Sequence, residues 1–468
     1  MVSWGKLERR HDARFYLPHF VRLEEKVRLR TNRKLRDFCL AMASGATPKA
    51  EEKELYYSDN PETGIPFIRV QNLNMNGDLD TNDVKLINES THNGMLARSH
   101  VQENDLLVKI TGVGRMAVSS VPPVSFVGNI NQHIARAKTR SRLESRALAA
   151  FLNTDIGEAL ATRRATGGTR PALDYPALRS IPIIYNEAIL SVLDNGNSRR
   201  KVALDKAGAL LASIDDYLLS ELGIVLPAEL ENTIGNRMFR TNAHELGGWR
   251  FDPLFHSFKL WHAIEASPTP SGHLGTYCRL AKTGFAAGGD MQLHDDDGII
   301  QIRPTNIGAD RQLKFDRNVY LDRSILTQRP TDVLNRREVL FNNTNSQEQV
   351  GKTSFFDIEG PFVCSNHITR ILTNEAVLVP EYLTAVLNTY QRLKVFYSIC
   401  TNWNNQSGVN VDLLRKLAIP VPSVEKQQLI AGEISKIFDQ ANSLRQEANA
   451  ELDKAKAEIE AILLGDAA

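Results

Sequence analysis

The sequence predicts a mixed α/β fold, in which two pseudo-repeated globular α/β halves are joined by two long antiparallel helices that form a coiled coil. Three observations predict it. Near the middle of the chain Leu204, Ala207, Leu211, Ile214 and Leu218 recur at alternating spacings of three and four, the seam of a long helix packed against another helix. At the C-terminus Ile434, Ile437, Ala441, Leu444 and Ala448, then Leu452, Ala455, Ile459 and Ile462, repeat that pattern with one four-residue stutter. Ahead of each seam lie collinear matches, the mark of an internal duplication.

The offset of the matches drifts by only a few residues. Arg10, Asp12 and Phe15 align with Arg250, Asp252 and Phe255 at 240, and Leu35, Phe38, Cys39 and Gly45 with Leu274, Tyr277, Cys278 and Gly284 at 239. Gly64 to Leu73 aligns with Gly298 to Ile307, and His133 to Arg136 with His367 to Arg370, both at 234. Leu152-Asn153-Thr154 pairs with Leu387-Asn388-Thr389, Leu178-Arg179 with Leu414-Arg415, and Gly223 with Gly465.

Each half opens with strands and closes with helices. Ile65 to Val70, Leu106 to Ile110 and His133 to Ala137 are short apolar or alternating runs bounded by Gly, Asn and Asp, which predicts strands. Ala147 to Arg164 and Glu381 to Tyr397 have helical spacing. Polar loops follow, Thr166 to Arg170 and Asn402 to Gly408. Each is succeeded by an extended exit, through Ile181-Pro182 or Ile419-Pro-Val-Pro422, because proline forces the preceding residue out of the helical region.

Composition bounds the function. At 52.3 kDa, 42% hydrophobic and 24% charged, the chain has the length for several domains and no difficulty in burying cores. The N-terminus is charged from Lys6 onward and no apolar run approaches the roughly 18 residues of a membrane span, which predicts a cytoplasmic chain with no membrane partner. Cys39, Cys278, Cys364 and Cys400 show no C-x-x-C spacing, so reduced thiols are expected. The net charge of +1 argues against a generally sticky nucleic-acid binder, but charge is unevenly placed. Residues 1–40 hold eleven Lys/Arg against five acids and residues 98–142 seven against two, whereas residues 423–468 hold nine acids against five bases. Such a chain suits phosphate on its globular faces and protein on its helices.

The order of motifs resembles the specificity (S) subunit of type I restriction–modification systems. In the first half the resemblance rests on Ser44-Gly-Ala-Thr-Pro48, Gly64 to Leu73, Asn104-Asp-Leu-Leu-Val-Lys-Ile-Thr-Gly112, Asn129-Ile-Asn-Gln-His-Ile-Ala135 and Thr166-Gly-Gly-Thr-Arg-Pro171. In the second it rests on Ile419-Pro-Val-Pro-Ser-Val-Glu-Lys-Gln-Gln-Leu-Ile430. It implies a first target-recognition domain over residues 1–186, a spacer helix over 187–226, a linker over 227–247, a second target-recognition domain over 248–422 and a second spacer helix over 423–465. The implied partners are double-stranded DNA, read as two half-sites, adenine-N6 DNA methyltransferase (modification) subunits, and restriction/translocase subunits. No cofactor, metal or catalytic residue is expected on the chain itself. The rival readings are a divergent DNA methyltransferase or nuclease, and a coiled-coil adaptor that binds protein alone.

A reader of base edges needs carboxamides and guanidinium groups, which bond bidentately to them. The expected DNA-binding residues are Gln71, Asn129, Asn131, Gln132, Thr169 and Arg170 in the first half, and Asn342, Asn343, Asn402, Asn404, Asn405 and Gln406 in the second. Lys109, Arg115, Lys352 and Arg370 suit phosphate as long cations. Residues repeated in both halves, Arg69/Arg303, Asn72/Asn306 and His133/His367, are expected to form the fold, since a shared residue cannot distinguish different half-sites. Three enzymatic patterns fall short. Ser346 to Thr353 ends like a P-loop but has serine where the first glycine is needed. Asp252-Pro-Leu-Phe255 lacks a companion Gly-rich loop for S-adenosylmethionine. Asp105 with Lys109 lacks the further acid of a nuclease, and the eleven histidines show no metal-ligand spacing.

Overall fold

In a computed structural model, the protein is described over residues 12–228, 231, 233–238, 240, 253, 256, 260–293, 297–403 and 406–465. It divides into two compact units, Met1–Asp205 with Leu444–Ala468, and Lys206–Ser443. Most of the expected linker 227–247, and the Arg250, Asp252 and Phe255 segment, lie outside the described residues.

The first unit is built on two sheets. One runs Ala41–Ser44, Ile134–Lys138, Asp105–Lys109, Ser119–Ser120, all antiparallel. The other runs Tyr57–Ser58, Lys85–Ile87, Ile65–Ile68, Val127–Ile130, His100–Gln102, with a parallel pair between Ile65–Ile68 and Val127–Ile130. The predicted strands are thus present but displaced at their ends: Val70–Asn72 turns into a 3-10 helix because the Asn72 side chain accepts from Arg69 N at 3.0 Å. Helix Arg142–Leu152 covers the first sheet, burying Leu148 and Phe151 against Leu106, Val108, Ala135 and Ala137. The single helix expected over Ala147 to Arg164 is in fact two. Thr154 accepts from Gly157 N at 3.1 Å and starts a new helix, Asp155–Arg164, while Asn153 turns into the sheet.

The N-terminal basic segment is partly structural. Helix Pro18–Arg30 buries Glu24, 1% exposed, under Arg163 (2.5 Å), Arg164 (2.7 Å) and Arg28 (2.6 Å). Burial alone would raise this carboxyl, but the hydrogen bond and charge of Arg164, with help from Arg28 and Arg163, hold it at about 2.

The second unit repeats the plan. One sheet runs Cys278–Thr283, Ile368–Thr373, Glu338–Asn342, Thr353–Phe356, and the other Gln292–Leu293, Tyr320–Leu321, Ile299–Ile302, Phe362–Cys364, again with its parallel pair at Ile299–Ile302 and Phe362–Cys364. Helix Pro380–Arg392 packs Leu383, Val386 and Leu387 on Val339, Phe341 and Ile371. The helix expected to reach Tyr397 breaks at Lys394, whose φ is +62°, before a short helix Val395–Ile399.

Equivalent residues make equivalent bonds in the two units. Asn153 bonds to both Ser119 N and O at 2.8 Å, and Asn388 to Thr353 N at 3.1 Å and O at 2.8 Å. A Cβ on Gly45 would lie 1.5 Å from Ile130 O, and one on Gly284 2.1 Å from Cys364 O, so both turns require glycine. The extended exits are held alike, by Leu35 N to Ile181 O at 2.8 Å and Leu274 N to Leu417 O at 2.9 Å.

The long helices span Ile189–Leu222 and Val424–Leu464. The first ends where Gly223, φ +64°, donates to Ser220 O and Ile224 to Leu219 O, the paired bonds of a Schellman stop. Within the first unit Gly196 faces Ala455, and Arg199 pairs with Glu451, while Ile459 and Leu463 enter the core. Within the second unit Lys426 pairs with Glu221, and Ile214, Leu218, Ile430 and Ile434 enter the core. The buried seam residues of the C-terminal helix, Ile434, Ala441, Ala448 and Ala455, fall seven apart.

Candidate nucleic-acid interface

Backbone hydrogen bonds join four loops of the first unit into one edge. Asn131 N donates to Ile68 O at 3.1 Å, bringing the 131–133 turn to the segment that carries Gln71. Ile110 N donates to His133 O at 2.9 Å, and Gly112 N to Pro171 O at 3.1 Å, so the 111–115 and 166–171 loops extend the same edge. Gln71, Gln132, Thr169 and Arg170 are exposed along it. Gln71 and Arg170 carry carboxamide and guanidinium groups, the kind that can bond bidentately to base edges.

The second unit closes a corresponding edge. Ser365 N donates to Ile302 O at 2.9 Å and Asn343 N to His367 O at 3.0 Å, one-for-one with the bonds of the first unit. At the tip the units part company. Where the first pairs Thr111 and Thr166 with Ala172 as single bridges, the second extends the same pairing into a three-stranded sheet of Thr344–Asn345, Gln406–Gly408 and Thr401–Trp403, and the residues beyond the pairing differ. Asn402 and Gln406 are exposed on this hairpin, although the Asn402 oxygen accepts from Ser407 Oγ at 2.5 Å. Asn404 and Asn405 lie outside the described residues.

Several expected contacts are corrected. Asn129 is fully buried: its oxygen meets His92 Nδ1 and its nitrogen donates to Leu96 O at 2.9 Å and Ser99 Oγ at 3.3 Å. Asn131, 7% exposed, accepts from His133 N at 3.1 Å and shapes the turn. Asn342 and Asn343 are likewise interior, donating to Gln349 O at 3.1 Å and Thr369 Oγ1 at 2.9 Å. These carboxamides satisfy backbone under the loops, so they cannot face a base as placed. Among the cations, Arg370 is buried on Glu338 (Nε to Oε2 2.8 Å), and Lys109 is buried beneath its loop with Nζ on Val113 O at 2.7 Å. Burial lowers the Lys109 and Lys352 ammonium pKa values. Lys352 is half-buried. Arg115 is held by Asp155 (2.8 Å), Glu158 (2.7 Å) and Asn153 O (2.8 Å).

Of the repeated polar residues, the two asparagines form the fold, Asn306 capping Arg303 N at 2.9 Å as Asn72 caps Arg69 N. Asp105 and Lys109 stand at opposite ends of one strand, Asp105 accepting from Gln102 N at 2.9 Å. Among the described residues, no cluster of His, Cys, Asp or Glu is arranged to hold a metal ion. Two apolar side chains on the edges stand outside the polar set that the sequence points to. Val113 lies between two glycines and is 75% exposed, and Trp403, 46% exposed, lies on the hairpin against Gly408. An apolar residue inside a Gly- or Asn-rich loop is the signal that marks both.

Residues 322–454 match the type I restriction modification DNA specificity domain family. Over 99 residues the chain is 29% identical to a Methanocaldococcus jannaschii protein that carries the name of a type I restriction enzyme MjaX specificity subunit. That stretch is 21% of this chain and 23% of the relative, so the match spans about a quarter of the relative's length. Among solved structures, a chain from work on complex assembly and conformational transition of the type I R-M system superposes with a TM-score of 0.42 at 15% identity, covering 92% of this chain and 95% of that one. The type I restriction–modification S subunit of M. genitalium gives 0.34 at 14% identity, with 91% and 95% covered. The HsdS subunit of Thermoanaerobacter tengcongensis gives 0.33 at 14%, with 92% and 96% covered. Over residues 322–454, then, the chain is similar to the type I restriction modification DNA specificity domain.

Proposed function

We propose that this chain is the sequence-reading, non-catalytic specificity subunit of a type I restriction–modification complex. Each unit reads one half of a bipartite double-stranded DNA target. The chemistry, adenine-N6 methylation and ATP-dependent restriction, belongs to modification and restriction/translocase subunits, and cofactors bind there. The observation that carries the reading is the duplicated edge. Its base is closed by the same backbone bonds in both units, while its tip carries different residues, Thr166-Gly-Gly-Thr-Arg170 against Thr401-Asn-Trp-Asn-Asn-Gln406. A common frame with divergent tips suits two different half-sites.

In this reading the two long helices pair antiparallel as a spacer that sets the distance between half-sites, the contacts of Arg199 with Glu451 and Lys426 with Glu221 supporting that direction. The exposed residues Gln71, Gln132, Thr169, Arg170, Asn402 and Gln406, with Asn404 and Asn405, are the proposed base readers, and Lys352 the proposed phosphate contact. The test is reconstitution of the chain with its methyltransferase subunits and mapping of methylated adenines. A bipartite motif that appears with this chain and vanishes without it is expected. Methyl transfer or cleavage by the purified chain alone, lost on mutating Asp105, would overturn the reading.

A further inference from the structure

Val113 occupies a turn built to hold it outward. The residues on either side, Gly112 and Gly114, have φ of +125° and +80°, conformations that L side chains rarely adopt. Beneath the turn Lys109, 6% exposed, directs its ammonium to Val113 O at 2.7 Å. One flank is fixed by Gly112 N on Pro171 O, and the other by Arg115 on Asp155, Glu158 and Asn153 O. The backbone at this point is therefore fastened from three directions, yet the side chain it presents is three-quarters exposed. Turns of this kind ordinarily take Asn, Asp, Ser or Gly at the tip, which hydrogen-bond locally or tolerate the conformation. A β-branched apolar residue contributes nothing to such a turn and is left facing water. The local rule is broken where the surroundings are most constrained, a pattern expected at functional positions.

We infer that Val113 is a specificity-determining residue of the first unit, making apolar contact with the 5-methyl group of a thymine in the half-site that unit reads. The chemistry follows from the edge. Gln132 and Arg170 on neighbouring loops supply donors and acceptors for the other base edges, and in the major groove the thymine methyl is the feature that such groups cannot recognise. Val113 supplies the apolar surface that they lack. The inference rests on the proposed DNA-reading function and deepens it.

The test uses the assembled complex on its mapped target, with the first unit's half-site identified by exchanging the second unit. Each thymine of that half-site, on either strand, is replaced singly by uracil, which removes one methyl group and keeps every hydrogen-bonding atom. One replacement is expected to weaken wild-type binding about fourfold, the worth of a single desolvated methyl group. Val113→Ser is expected to bind the parent duplex as weakly as wild type binds that uracil duplex, and to show no further loss on it. Equal uracil penalties in wild type and variant overturn the inference, as does a half-site without thymine or one whose uracil duplexes all bind alike. Failure of the wild-type complex to bind its mapped target at all would instead remove the DNA-reading function beneath it.

Discussion

Replacing Glu24 by glutamine should destabilise the first unit and leave the second intact. Glu24 is 1% exposed and is the shared acceptor of Arg28, Arg163 and Arg164, of which Arg163 and Arg164 are 5% and 3% exposed. Its carboxyl is held at about 2 against an ordinary 4.5, a difference worth roughly 3 kcal/mol at about 1.36 kcal/mol per pH unit. Because the folded value lies below the unfolded one, this stabilisation is complete above about 4.5 and is lost as pH falls toward 2. Glu24→Gln removes the charge and leaves buried guanidinium groups without their counter-ion, a change that typically costs about 3–5 kcal/mol. The amide oxygen still accepts one hydrogen bond, so the lower end of that range is expected. Hydrogen exchange resolves the two units: near neutral pH, helix Asp155–Arg164 should lose protection in the variant while helix Pro380–Arg392 does not. Near pH 3 the gap between wild type and variant should shrink. Equal protection at neutral pH, or a gap that stays constant into acid, would refute the role given to the cluster.

Other consequences follow from the same geometry. Asn388→Ala and Asn153→Ala each leave a buried strand N–H and C=O unpaired, and urea unfolding should show a loss of about 2–4 kcal/mol in the corresponding unit; losses under about 0.5 kcal/mol would mean that the bonds are dispensable. Gly45→Ala places a methyl group 1.5 Å from Ile130 O, so the first unit should unfold at markedly lower temperature than wild type, whereas Gly168→Ala, with open space around it, should not. Inserting four helix-forming residues after Leu211 lengthens the first long helix by about 6 Å, and the seam absorbs the insertion as a stutter. Methylation mapping should then show half-sites one to two base pairs further apart with their bases unchanged. Unaltered spacing at full activity would mean that the helices do not set the distance.

The duplication was legible in sequence because its marks are residues whose roles are stereochemically narrow. Gly45 and Gly284 sit where no Cβ fits, and Asn72 and Asn306 cap the same 3-10 turn, so both survived while the surrounding apolar residues drifted. The break at Asn153-Thr154 was not legible, since apolar spacing continues across it and the cap is local chemistry that periodicity does not register. Burial of Asn129, Asn342 and Asn343 was hidden for a related reason. An asparagine that braces a loop from below and one that faces solvent from its tip occupy the same polar stretch of sequence, and only the tertiary partners, such as His92 for Asn129, separate them. Lys109 shows the same limit: the strand that carries it is buried on both faces, so its cation serves its own loop rather than an outside phosphate.

The central claim is that two units built on one frame read different half-sites. It is tested most directly by exchanging residues 248–422 for the corresponding segment of a related protein and mapping methylated adenines in cells that supply the partner subunits. The account predicts a hybrid motif in which one half is new and the other is that of the unaltered protein. A motif changed in both halves, or in neither, would contradict it.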